Sequence, residues 1–256
     1  MRWLIPPAGI YGAILVDEHR GKLNPGPPGK VSIIMPALNE EAFIEDSLIS
    51  IQGQKMIQAY PESFEIIVAD NASDDLTLYL AQSLDVKTVM AYPRGVLQAR
   101  TEGIEASSGD IIVSVNADTY YPPEWLCNVL YHFHNPDIVA AASVGLFKNR
   151  PLDNVALRVW RRIEQKMYGF ASAFRRSAYG STGGFDLSVN PVDAKAVEYE
   201  EQTAFRNRLT QFGSYILDAY PVYTSNRRHM CSLCYSKSCP APMSEYCQSV
   251  LAKRRF

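Results

Sequence analysis

The chain has 256 residues, 47 % of them hydrophobic and 20 % charged, with 25 Lys and Arg against 27 Asp and Glu for a net charge of −2. That is enough apolar material for one large α/β domain, and the composition excludes a disordered or collagen-like chain. The near-zero charge also argues against a dedicated nucleic-acid binder, which carries a basic excess.

The N-terminal run from Trp3 to Val16 is uncharged for 14 residues and contains Pro6 and Pro7. It falls short of the roughly 18 residues that span a bilayer as a helix. It ends in Asp17-Glu18-His19-Arg20 without a small-x-small cleavage site, so it reads as an apolar arm packed on the domain rather than a signal peptide. Residues 21–30 (GKLNPGPPGK) hold three Pro and three Gly and mark a linker. The expected organisation is an arm and linker over 1–30, a catalytic domain over 31–230 and a cysteine-containing basic extension over 231–256.

From Val31 the pattern alternates short apolar strands with amphipathic helices. Strands are predicted at Val31 to Met35, Phe64 to Ala69, Val86 to Ala91 and Asp110 to Val115. Helices are predicted from Glu41 to Ile51, Asp74 to Leu84 and Gly95 to Ala106, with Ser73 or Asp74 available as an N-cap of the second. This alternation predicts a mostly parallel sheet covered on both faces, with ligands beyond the carboxyl ends of the strands. The second half is less regular. A strand near Ile138 to Phe147 is followed by a long helix from about Asn154 to Phe174, a glycine-rich loop from Gly180 to Gly184, a helix from about Glu198 to Gln211 and a strand near Tyr215 to Tyr223.

The long helix carries Arg158, Arg161, Arg162 and Lys166 among Leu157, Trp160, Ile163 and Met167. Such a face suits solvent over a core helix, and it equally offers peripheral contact with an anionic membrane or a lipid-phosphate acceptor. Residues 227–256 hold six basic residues and one acid, which leaves 19 basic against 26 acidic in the first 226. Of the five cysteines, Cys231, Cys234, Cys239 and Cys247 crowd this tail. A C-x2-C start with no second knuckle favours free thiols over zinc, and an odd total without a secretory signal points to a reducing, cytoplasmic setting.

The strand ends collect polar groups: Pro36-Ala37-Leu38-Asn39-Glu40, then Asp70-Asn71-Ala72-Ser73-Asp74-Asp75, then Asn116-Ala117-Asp118. No GxGxxG follows the first strand and no GxxxxGK[ST] occurs, which removes the usual dinucleotide and P-loop readings. Asp118, at a strand end, suits a hard divalent cation, since Mg²⁺ uses one or two carboxylates plus substrate phosphates.

In order and spacing, VSIIMPALNEE, FEIIVADNASDDLT and RGVLQARTEGIEASSGDIIVSVNADT resemble the family 2 glycosyltransferases with the GT-A fold, over residues 31 to about 230. The resemblance implies a Rossmann-like α/β fold and transfer of a sugar from a nucleoside-diphosphate sugar to an acceptor hydroxyl or lipid phosphate, inverting and dependent on Mg²⁺ or Mn²⁺. It places Pro36, Ala37, Leu38, Asn39 and Glu40 around the base and ribose, Asp70 on the base, and Gly95 and Arg100 under the nucleotide. Taken alone, Arg100 also suits a solvated helix position. The resemblance also places Asn116, Ala117 and Asp118 on the nucleotide sugar, where the family has Asp-x-Asp; Asn116 is a departure that keeps a polar contact but removes a charge, which implies a ribose contact or a support behind the metal ligand. Asp118 is the implied metal ligand.

On the acceptor side, Gly183, Gly184 and Phe185 resemble the family's acceptor loop. Glu201, with Glu200 in reserve, matches the acid that deprotonates the acceptor, although the family usually has Glu-Asp there; both acids also suit a helix N-terminus electrostatically. Arg227 and Arg228 resemble the basic pair that meets the diphosphate, with His229 as a further phosphate or metal contact. The base, the sugar, the acceptor (glycan, small molecule or lipid phosphate) and the oligomeric state stay open. Two other classes share the core: a nucleotidyltransferase, which usually has a basic glycine-rich loop where PALNEE stands, and a non-catalytic sugar-nucleotide-binding module.

Overall fold

A computed structural model of the chain describes residues 25–147, 167, 169–189 and 195–225. The N-terminal arm, most of the predicted basic helix, and Arg227, Arg228, His229 and the four tail cysteines lie outside the described residues.

The elements in chain order are β1 (Val31–Ala37), α1 (Ile44–Gln52), α2 (Lys55–Ala59), β2 (Phe64–Asp70), α3 (Thr77–Ser83), β3 (Lys87–Met90), α4 (Val96–Glu105) and β4 (Ile111–Val115). There follow β5 (Thr119–Tyr120), α5 (Trp125–Tyr131), β6 (Ile138–Phe147), β7 (Ala171–Arg175), α6 (Arg176–Ser181), α7 (Lys195–Leu209) and β8 (Ser214–Thr224). The strands form one sheet in the order β3-β2-β1-β4-β7-β6-β8-β5. The first four are mutually parallel, and β7 runs antiparallel between β4 and β6. β8 is parallel to β6, and β5 closes the edge antiparallel to β8.

All seven residues of β1 are buried, as befits a central strand covered on both faces. Period-two alternation divides its side chains between two cores. Val31, Ile33 and Met35 pack with Leu48, Met56 and Trp125, the side of α1, α2 and α5. Ile34 packs with Ile104, Phe174, Phe205 and Leu209, the side of α4 and α7. The predicted two-sided α/β sheet is therefore present.

Three local expectations are corrected. Residues 171–174, read as the end of a long helix, belong to β7: tertiary pairing between β4 and β6 overrides the helix preference of Ala-Ser-Ala. The predicted loop at 180–184 is partly helical, because α6 runs to Ser181 before a turn. The helix after Asp74 starts at Thr77 with no side-chain cap from its N-cap residue Leu76, so Ser73 and Asp74 do other work.

Candidate functional site

The first loop of the site is built by its neighbour. Ala37 pairs in register with Asp70, and the carbonyl of Ala37 accepts the Asn71 N–H at 2.8 Å. Beyond that point the two loops clasp each other. Asn39 N–H donates to Ser73 Oγ (3.0 Å) while Asp74 N–H donates to Asn39 Oδ1 (3.0 Å). Glu40 N–H donates to Thr77 Oγ1 (2.7 Å), Glu41 N–H to Asp75 Oδ2 (3.1 Å), and Leu76 N–H returns a bond to Glu41 Oε2 (3.1 Å). Asn39 and Ala72 both turn through positive φ, at 54° and 63°; of the two, Asn takes that conformation more readily. Ser73 and Asp74 thus fasten the β1 loop rather than cap α3.

Asp70 ends β2 and is 1 % exposed. Its Oδ2 accepts the Ser73 N–H at 3.0 Å, whereas Oδ1 has no hydrogen-bond partner among the described residues. A buried acceptor without a partner is costly, so it marks a place where a donor is wanted. The neighbouring Asn71, buried and given no role by sequence reasoning, ties three segments together. Its amide donates to the carbonyl of Ala91 (3.0 Å), its Oδ1 accepts the N–H of Gly95, and Gly95 enters α4 at φ 155°.

Arg100 projects from α4 but is only 2 % exposed, which removes the solvated reading. Its Nη2 donates to Asn116 Oδ1 at 3.2 Å, and its guanidinium lies against Gly169, where an added Cβ would stand 2.3 Å from Cζ. Gly169 is held by both of its backbone groups. Ser114 Oγ donates to its carbonyl (2.6 Å), and its N–H donates to Gln202 Oε1 of α7 (3.2 Å). Gly169 and Gln202 gave no signal in the sequence, because neither belongs to a motif and their meeting is set by the sheet order.

Asn116 and Asp118 follow β4. Ser47 Oγ of α1 contacts the carbonyls of Asn116 (3.0 Å) and Thr119 (2.8 Å), and the Tyr121 hydroxyl accepts the Asn116 N–H (2.8 Å) while donating to the Phe170 carbonyl (2.6 Å). Burial pushes the Tyr121 hydroxyl far above its ordinary pKa, so it stays a protonated donor. Asp118 is 8 % exposed; its Oδ2 accepts Ser225 Oγ–H at 3.2 Å and its carbonyl accepts the Ser225 N–H at 3.1 Å. A cleft of about 460 Å³ between α1, β5 and the end of β8 reaches this carboxylate. No group of three or more His, Cys, Asp or Glu side chains gathers among the described residues. A single carboxylate of this kind fits a cation brought with substrate phosphates rather than one caged by protein.

Gly183 and Gly184 turn at φ 76° and 78°, and Phe185 packs on Phe205 with ring centroids 4.5 Å apart. Glu201, 5 % exposed, accepts the Asp186 N–H (2.7 Å) and Arg208 Nη2 (2.6 Å), with Arg208 Nη1 at 3.4 Å from its second oxygen. Arg208 also donates to the Gly184 carbonyl at 3.0 Å. The predicted acid and the predicted acceptor loop are thus one connected unit. Glu200 lies on the same helix, its side chain outside the described residues.

Comparison with known proteins gives this geometry a family. The sequence profile described as "Glycosyl transferase family 2" matches residues 32–187, more than half of the chain. The chain is 28 % identical over 204 residues to the hyaluronan synthase of Streptococcus pyogenes, covering 72 % of the chain and 47 % of that protein. It is 31 % identical over 187 residues to the dolichol-phosphate mannosyltransferase of Pyrococcus furiosus, covering 65 % of the chain and 50 % of that protein. It spans about half the length of these curated relatives. Among solved structures, it resembles a mannosyltransferase of Pyrobaculum calidifontis in complex with GDP-Man and Mn²⁺ (TM-score 0.59, 19 % identity, covering 85 % of this chain and 68 % of that one). It also resembles the glucosyl-3-phosphoglycerate synthase of Mycobacterium tuberculosis in complex with Mn²⁺, UDP-Glc and phosphoglyceric acid (TM-score 0.56, 18 % identity, 77 % and 72 %). The fold is GT-A, no helix among the described residues is long and apolar enough to cross a membrane, and by the span of the sequence match the chain belongs to glycosyl transferase family 2.

Proposed function

We propose that the protein transfers a sugar from a nucleoside-diphosphate sugar to an acceptor hydroxyl or lipid phosphate with inversion at the anomeric carbon. The observation that carries this reading is the buried Asp70 carboxylate at the end of β2, whose Oδ1 has no partner among the described residues, in the same sheet whose strand β4 leads to Asp118, with Arg100 of α4 bonded to Asn116 beside it. In this reading Asp70 accepts an N–H of the base, Pro36 to Glu40 enclose base and ribose, and Gly95 and Arg100 lie under the phosphates. Asp118 holds a divalent cation, Mg²⁺ or Mn²⁺, with His229 as a second candidate ligand. When bound, the cation supplies positive charge that stabilises the departing diphosphate. Arg227 and Arg228 add to that charge.

The acceptor oxygen forms a bond to the anomeric carbon as the bond to the diphosphate oxygen breaks, and the electron pair leaves with the nucleoside diphosphate. Where the acceptor is a hydroxyl, its proton passes to a carboxylate. Glu201 takes that role in our reading, with Glu200 as the alternative. A carboxylate offers about four lone-pair positions. The bonds from Asp186 and Arg208 to Glu201 use three hydrogens, so one position is left for the acceptor hydroxyl. The acceptor is a glycan, a small molecule or a lipid phosphate.

A thermal-shift screen of UDP-, GDP- and dTDP-sugars with and without Mn²⁺ tests the reading, because a ligand that binds the native state raises its melting temperature. A metal-enhanced shift with at least one sugar nucleotide is expected. No shift with any of them would remove the reading.

A further inference from the structure

Strand β8 reaches Asp118 by way of a bulge. Ser143 of β6 stands opposite Asp218 and Gly145 opposite Val222, so one residue of β6 faces three of β8, Ala219, Tyr220 and Pro221. Pro221 has no N–H to give a ladder, which suits it to such a break. Past the bulge Tyr223 and Thr224 pair with Tyr120 and Thr119, and Ser225 closes on Asp118 through its N–H (3.1 Å to the carbonyl) and its Oγ (3.2 Å to Oδ2). Side chains alternate along a strand, so a bulge longer or shorter by one residue would turn the Ser225 hydroxyl away from the carboxylate.

Residues on either side of α5 brace this bulge. Just past the helix, His132 Nε2 lies 2.7 Å from Asp218 Oδ2, and the two side chains are only 5 % and 4 % exposed. A carboxylate only accepts, so the imidazole supplies the hydrogen. The other oxygen of Asp218 accepts the Tyr220 N–H at 2.6 Å, inside the bulge. Just before the helix, Glu124 Oε2 accepts the Tyr220 hydroxyl at 2.9 Å, while its Oε1 pairs with Lys55 Nζ at 2.6 Å. Trp125 Nε1 donates to Ser143 Oγ, on the residue opposite Asp218. Replacing a buried polar pair by well-packed apolar side chains often costs no stability, so what the pair holds in place matters more than the energy it adds.

We propose that His132 and Asp218 are positioning residues for the metal site: their buried bond fixes the β8 bulge, and with it the register that sets the Ser225 hydroxyl on the Asp118 carboxylate. The inference rests on the reading of Asp118 as a metal ligand and adds how the chain holds that ligand in place. Partners that orient a ligand carboxylate are worth about tenfold or more in metal affinity.

The test is a double-mutant cycle read by calorimetric titration of Mn²⁺ into the full chain with UDP and, separately, with GDP, each nucleotide alone serving as the blank. His132→Phe keeps an aromatic ring and loses the donor; Ser225→Ala loses the hydroxyl. Each should weaken Mn²⁺ binding about tenfold. Because the pair acts through Ser225, the double variant should also lose about tenfold, where independent sites would lose about a hundredfold. His132→Gln keeps an N–H donor and should stay within about twofold of wild type. Unchanged binding by His132→Phe, additive losses in the double variant, or a Gln variant as weak as Phe overturns the inference and leaves the metal reading standing. Should His132→Phe not fold, Tyr220→Phe, which removes only the hydroxyl of the second brace, decides by the same cycle: a loss absent in the Ser225→Ala background supports the inference, and no loss or an additive one overturns it. A wild-type chain that binds Mn²⁺ no better than the nucleotide alone, or equally well after Asp118→Asn, overturns the metal reading and the inference with it.

Discussion

Replacing Gly169 with Ala is the most direct way to disturb the centre of this site from outside it. The added Cβ would stand 2.3 Å from Arg100 Cζ and 2.4 Å from Nη2. Carbon atoms come into contact near about 3.5 Å, so the guanidinium has to retreat by roughly 1.2 Å. It has little room, since Arg100 is 2 % exposed. Overpacking of this kind costs about 1–3 kcal/mol. Gly169 is not among the glycines with positive φ, so Ala also recovers about 0.4–1 kcal/mol by restricting the unfolded chain. The net runs from near zero to a loss of about 2.6 kcal/mol, which for a domain of about 200 residues lowers the melting temperature by up to about 10 °C. A shift of that size also disturbs the 3.2 Å hydrogen bond from Nη2 to Asn116. Thermal unfolding with a parallel nucleotide titration reads both effects. A melting temperature within about 1 °C of wild type together with unchanged nucleotide affinity would refute the claim that Gly169 seats Arg100.

Other substitutions probe the remaining parts. Asp118→Asn should leave the circular-dichroism spectrum native and lower metal-dependent sugar transfer by about a hundredfold or more. Trp125→Phe removes a buried bond from the indole Nε1 to Ser143 Oγ (2.8 Å) and should cost about 2 kcal/mol in urea unfolding, a value near zero telling against that bond. At the opposite end of the sheet, burial pushes the Glu65 carboxyl up, but hydrogen bonds from Ser32 and from Ser108 more than offset it and hold the group below its ordinary 4.5. Between the folded and unfolded values the unfolded chain binds more protons, so this contribution is complete above about pH 4.5 and fades as pH falls through the folded value. The urea midpoint of wild type should therefore exceed that of Glu65→Gln at pH 7, with the gap closing on acidification; a gap constant from pH 6 to pH 3 would contradict the assignment.

The first half of the molecule was readable because β1, β2 and β4 are apolar runs that lead into polar clusters, at residues 38–40, 70–75 and 116–118. The burial that makes β1 continuous in sequence is the same burial that makes it central in space. Helix α5 left no such trace. Trp125, Leu126, Cys127, Asn128, Val129 and Leu130 are all buried, so there is no polar face and no 3.6-residue rhythm to detect. Strand β7 was hidden differently: five small or ambiguous residues become a strand only because β4 and β6 lie on either side. The site divides along the same line. Asp70, Asn116 and Asp118 sit in local motifs and could be proposed from them. Asn71, Gly169 and Gln202 act through partners distant in sequence, and Arg100 showed its burial only once α4 was laid against β7's approach at Gly169.

The central claim is that Asp118 and its neighbours at the strand ends form a metal-assisted sugar-transfer site. It is tested most directly by measuring nucleoside-diphosphate release from a panel of sugar nucleotides by the wild-type chain and by Asp118→Asn, each with Mn²⁺ and with EDTA. Release by wild type that needs Mn²⁺ and is lost in the variant is the predicted result. Equal release by the two proteins, or none from any sugar nucleotide under either condition, would contradict it.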